Sequence, residues 1–64
     1  MRKNLREARK KLGLSQKDMA EKLGVCQQYY SAVERGFTTG NVRIWDAIED
    51  IVNINQRLLR KEDE

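Results

Sequence analysis

Apolar residues return along this chain at intervals of three and four, and nowhere do they alternate with polar ones for long enough to make a strand. Leu5, Ala8 and Leu12 form a first stripe. Asn4, whose side chain can accept from an early backbone N–H, predicts its N-cap, and Gly13 predicts a left-handed stop. Ser15 with Asp18 three residues on predicts a second start, a capping box with a shorter acid. Met19, Ala20 and Leu23 are its inner face and Gly24 its end. Val25 and Cys26 open a third element, which points Tyr30 and Val33 inward and stops at Gly36. Phe37-Thr38-Thr39-Gly40 reads as a loop. A fourth helix starts near Asn41, with Ile44, Trp45, Ile48, Ile51 and Val52 on one face. Two readings remain beyond it: Asn53 or Asn55 caps a fifth helix carrying Leu58 and Leu59, or a single helix continues to about Arg60. Residues 61–64 are expected to fray. The pattern predicts an all-α protein, a compact bundle of four to five short helices forming one domain over residues 1–64.

Composition narrows this picture. With 64 residues the core is thin, because a chain of this size buries only about 60% of its unfolded surface. The charged share of 36% fits solvated helix faces, and the absence of proline leaves few breaks in regular structure. No apolar run is long enough to cross a membrane, and no signal-peptide pattern is present. Cys26 is the single cysteine, so no intrachain disulfide forms; a reducing, cytoplasmic setting fits. The net charge of +3 is unevenly distributed. Residues 1–36 hold nine basic and four acidic residues, whereas residues 37–64 hold four basic and six acidic ones. The first half therefore suits a polyanion better than the second.

Spacing in residues 16–35 is more telling. Two short helices that cross closely over a three- or four-residue turn need a small residue under the crossing, here Ala20. They need glycine where the backbone turns left-handed, here Gly24. They also need an apolar plug at the turn, Val25, and two inward residues on the next helix, Tyr30 and Val33. Together these five satisfy the spacing of a helix-turn-helix.

The segment LREARKKLGLSQKDMAEKLGVCQQYYSAVERG, residues 5–36, resembles the phage-repressor type of helix-turn-helix, the Xre/Cro/cI family. The resemblance rests on the Leu-Arg-x-x-Arg start, Leu14-Ser15-Gln16, the Ala20/Gly24/Val25 turn and Glu34-Arg35-Gly36. It implies a five-helix, lambda-repressor-like fold whose third helix, Gln27 to Arg35, lies in the major groove of double-stranded DNA. It also implies a transcriptional regulator, expected here to be a repressor acting as a homodimer. Gln27 and Gln28 match the principal base-reading positions, and glutamine can bond adenine N6 and N7 together. Ser31 and Ala32, one turn on, extend base contact. Gln16 matches a phosphate contact and can also brace Gln27. Arg35, Arg43, Tyr29 and Arg9 are further candidates for the DNA backbone, as are Arg2, Lys3 and Arg6; Arg9 can instead pair with Glu34. Cys26 stands where the family commonly has serine or threonine as a helix cap. The resemblance weakens after Gly36, where the family's basic, proline-containing loop is replaced by Phe37-Thr38-Thr39-Gly40.

Enzyme chemistry finds no footing. The chain has no histidine, one cysteine, no carboxylates at metal-ligand spacing and no phosphate-cradling glycine loop. No cofactor, metal or small-molecule effector is expected. Trp45 reads as a core anchor, or as part of a dimer seam if that seam lies on the fourth helix; any such seam is expected after Gly36, from Trp45, Ile51, Leu58 and Leu59. The rival reading is a protein-interaction or antitoxin-type adaptor on the same fold, favoured by the acidic second half.

Overall fold

The computed structural model describes residues 1–61. Five helices follow one another: α1 (Lys3–Lys11), α2 (Gln16–Leu23), α3 (Gln27–Arg35), α4 (Val42–Val52) and α5 (Gln56–Leu59). No strand occurs among the described residues. The expected fraying of 61–64 falls mostly outside them.

Local chemistry accounts for most boundaries. Ser15 Oγ accepts from the Asp18 N–H (3.0 Å) while Asp18 Oδ2 accepts from the Ser15 N–H (3.1 Å), closing the capping box of α2. Gly24, at φ +73°, ends α2 in the left-handed region that costs glycine least. Asn41 Oδ1 accepts from the Ile44 N–H at 2.9 Å and starts α4. The open question at the C-terminal end resolves into two helices. Asn53 takes φ +57° and ends α4, and Asn55 Oδ1 accepts from the Arg57 N–H at 2.8 Å to start α5. Asparagine is among the few residues that enter the left-handed region readily, which is why the apolar spacing through Ile54 does not carry the helix onward.

Helix α1 differs from expectation. It begins at Lys3 with Arg2 as N-cap, and the Asn4 side chain caps nothing; its Nδ2 donates instead to the Leu58 carbonyl of α5 at 2.9 Å. The start is fixed from a distance, since the Arg2 N–H donates to the Glu34 carbonyl at 2.9 Å.

Leu5, Met19, Tyr30, Val33, Trp45, Ile48 and Leu59 form the centre of the core, with Ala8, Ala20, Ile44 and Val52 around them. Helix α2 packs on α3, and α5 closes the bundle against α1 and α4. Trp45 is fully buried: its Nε1 donates to the Thr39 carbonyl at 2.7 Å, and Arg2 and Arg60 lie 5.4 and 5.7 Å from its ring centroid. Gly40 permits this. A Cβ there would come within 3.1 Å of both Trp45 Nε1 and Ile44 Cγ2, at a backbone φ of +71°. Of the two roles open to Trp45, the structure contains the core anchor; Leu59 is likewise spent on the core, so neither is available to a dimer seam. Of the other two seam candidates, Ile51 is half-buried and Leu58 is 56% exposed.

Candidate nucleic-acid interface

Helix α3 has two sides with different tasks. Tyr30, Val33 and Glu34 face inward and are buried. Ala20 of α2 is buried beneath the crossing, Gly24 makes the left-handed turn, and half-buried Val25 packs against the core. The other side of α3 is open. Gln27, Gln28, Ser31, Ala32 and Arg35 line one open concavity of about 500 Å³, joined by Gln16 from the start of α2 and by Phe37 just past α3.

The inner side is held by charge. The Glu34 side chain is only 1% exposed and receives Arg9 through two bonds, Nε to Oε2 at 2.9 Å and Nη2 to Oε1 at 3.1 Å. Arg9 Nη1 donates to the Leu14 carbonyl at 2.7 Å. Gln16 Nε2 donates to Glu34 Oε1 at 3.3 Å, so Gln16 braces Glu34, not Gln27. Burial alone would push the Glu34 carboxyl up; Arg9, the neighbouring Tyr30 hydroxyl and Gln16 together outweigh it and hold it below the usual glutamate value. The same pairing raises the Arg9 guanidinium above its ordinary value, against the lowering effect of burial. The Tyr30 hydroxyl is buried without a hydrogen-bond partner. Burial, and then the neighbouring Glu34 charge, push it far above the ordinary tyrosine value.

Two arginines thereby leave the expected backbone-contacting set. Of the two roles open to Arg9, the structure contains the pair with Glu34. Arg2 is buried as well: Nη1 donates to the carbonyls of Val33 and of Thr38 (2.9 Å to the latter), and Nε to the Arg60 carbonyl at 3.2 Å. It fastens the end of α3, the following loop and the end of α5 to the N-terminus. Sequence reasoning offered it as a phosphate contact, because nothing local marks an arginine whose acceptors lie 31 to 58 residues away.

Tyr29 is half-buried against the core, not laid out on the surface. Arg43 is exposed at the start of α4 but does not line the concavity. Cys26 is exposed at the N-cap of α3, and its side chain makes no capping bond. Phe37 is the residue the sequence reading missed. Its signal was a large apolar side chain directly after a helix-ending glycine, in a loop otherwise made of threonine and glycine.

Among the described residues no helix is long and apolar enough to cross a membrane, and no cluster of three or more potential ligands could hold a metal.

A bundle whose second and third helices cross over a glycine turn, one clamped and one open face on the third, defines a helix-turn-helix protein. The sequence model of the helix-turn-helix family matches residues 5–55, and the chain belongs to that family, in its phage-repressor type. Among curated proteins it is similar to an uncharacterized HTH-type transcriptional regulator of Methanothermobacter thermautotrophicus, with 50% identity over 36 residues. The match covers 56% of this chain and 52% of the relative, so the chain spans about half the length of the curated protein it matches. No solved structure matches the chain.

Proposed function

We propose that residues 1–64 act as one sequence-specific DNA-binding unit of a transcriptional regulator, in the manner of a repressor, with α3 entering the major groove of duplex DNA. The observation that carries this reading is the gathering of Gln27, Gln28, Ser31, Ala32 and Arg35 on one open face while the opposite face of the same helix is locked by Arg9 and Glu34. A recognition helix needs both halves: exposed groups to meet base edges, and a rigid mount that holds them without further ordering cost. Gln27 and Gln28 read adenine, Ser31 and Ala32 extend the base contact, and Arg35 and Gln16 meet phosphates. Arg43 adds a phosphate contact from α4. The helix-turn-helix family and the regulator named among its relatives support the same reading.

Two copies are proposed to bind half-sites about one helical turn, roughly 34 Å, apart. Their seam draws on Leu58 with half-buried Ile54, which lines the same concavity, and on half-buried Ile51. No cofactor or effector is part of the proposal.

The test is selection from a random duplex library at rising salt, with the Q27A/Q28A double variant in parallel. A palindromic consensus that survives the salt steps, and is lost in the variant at unchanged melting temperature, is the expected result. Each glutamine is expected to contribute about 1–3 kcal/mol of base discrimination. Retention without consensus would reduce the protein to a phosphate binder. No retention at micromolar protein would sink the DNA reading in favour of a protein partner.

A further inference from the structure

Phe37 is 78% exposed, the most exposed of the large apolar side chains. Its backbone is nevertheless firmly placed. The Phe37 N–H donates to the Ala32 carbonyl (2.9 Å) and the Gly36 N–H to the Val33 carbonyl (3.2 Å), the two bonds of a Schellman turn. In that turn the residue in the Phe37 position ordinarily packs its apolar side chain on the residue whose carbonyl it bonds. Here that residue is Ala32, which offers only a methyl group. The backbone that carries the ring is thus fixed at the end of α3, and the ring itself is left uncovered. It contributes little to the core, yet it lines the same concavity as Gln27, Gln28, Ser31 and Arg35. The Arg35 guanidinium lies 5.6 Å from its ring centroid, within cation–π range.

We infer that Phe37 is a non-ionic anchor for DNA: its ring lies against the deoxyribose beside the phosphate that Arg35 meets. The inference rests on the proposed DNA reading and deepens it. A guanidinium and an aromatic ring side by side match the two chemistries of a nucleotide's outer edge, an anionic phosphate and an apolar sugar face. Contacts to phosphate weaken as salt rises because they release counterions, whereas burial of an aromatic ring releases none. In this protein a ring stands where the resemblance would place a basic loop. Part of its DNA affinity is therefore independent of ionic strength.

The experiment is a titration of the selected duplex between about 50 and 200 mM salt with wild type, F37A, R35A and F37K. F37A is expected to bind about tenfold more weakly at every salt concentration, on a line parallel to the wild type. R35A should flatten the line by about 0.9 in slope, the loss of one phosphate contact. F37K should steepen it by a similar amount, so that its line crosses that of F37A. An exposed residue leaves folding intact, and equal melting temperatures for wild type and F37A check this. F37A binding equal to wild type overturns the anchor while leaving the DNA reading in place. An F37A line as shallow as that of R35A also overturns it, because the ring would then act only through Arg35. Failure of the wild type to bind any duplex overturns both.

Discussion

Glu34 and Arg35 are neighbours on one helix, both charged, and they occupy opposite environments. Glu34 is buried with two bonds from Arg9 and one from Gln16. Arg35 is exposed, with its guanidinium beside Phe37. A step of about 100° around the helix axis separates a structural charge from one available to a ligand. Charge in a sequence therefore does not announce its use, and the same holds among the arginines. Arg2 and Arg9 are internal fasteners, whereas Arg35 and Arg43 face solvent.

The sharpest way to break this comparison is to neutralise each partner in turn. E34A leaves Arg9 buried without a counter-charge, and removing one side of a buried pair costs about 3–5 kcal/mol. In so small a domain that is a large part of the total stability, so urea unfolding of E34A should begin near zero denaturant. R35A should fall within about 0.5 kcal/mol of the wild type in the same assay, as surface substitutions do. Equal losses for the two would refute the division of labour.

A smaller effect follows from acidity. The folded chain holds the Glu34 carboxyl below its usual value, so the pair's contribution is complete above the unfolded glutamate value of about 4.3. It is lost as pH falls through the lower folded value. The urea midpoint of the wild type should accordingly fall between neutral pH and pH 3. In E34Q the fall should be shallower but not absent, because the Asp18 carboxyl is also held low by the Ser15 N–H. Parallel pH profiles would remove Glu34 from the acid response.

The smallest effect lies at the entrance to the open face. Cys26 occupies the N-cap of α3 without making a side-chain bond, whereas serine there can accept from an early N–H of the helix. C26S is expected to stabilise the protein by about 0.5–1 kcal/mol, a rise of roughly 2–8 °C in Tm. A lower Tm would show that the thiol contributes something a hydroxyl does not.

What the sequence made legible was what neighbours in the chain decide. Ser15 and Asp18 cap each other over three residues, Gly24 and Gly36 end helices by backbone freedom, and Asn41 caps from beside its helix; each can be read from a short window. The outward residues of α3 followed from the family resemblance and helical period together, and they do lie on one face. What stayed hidden was settled across the bundle. Asn4 looks like a cap by itself, but the Leu58 carbonyl takes its amide and Arg2 is pinned by Glu34. Leu59 looked available to a partner, and Trp45 open to either use, because spacing shows that a stripe is apolar and not what covers it. Both lie in the core, Trp45 beneath a loop that approaches closely at Gly40.

The position of Arg2 bears on the order in which the protein is made. Its acceptors on Thr38 and Arg60 do not yet exist when the helix-turn-helix has already been synthesised. At about 5–20 residues per second, the nascent chain spends roughly one to five seconds with α3 complete and the last of Arg2's acceptors, the Arg60 carbonyl, still to be made. During that interval Arg2 has only its acceptors in α3 and the following loop. Helix α5, only four residues long, thus ends at the last part of the lock to arrive, the Arg60 carbonyl.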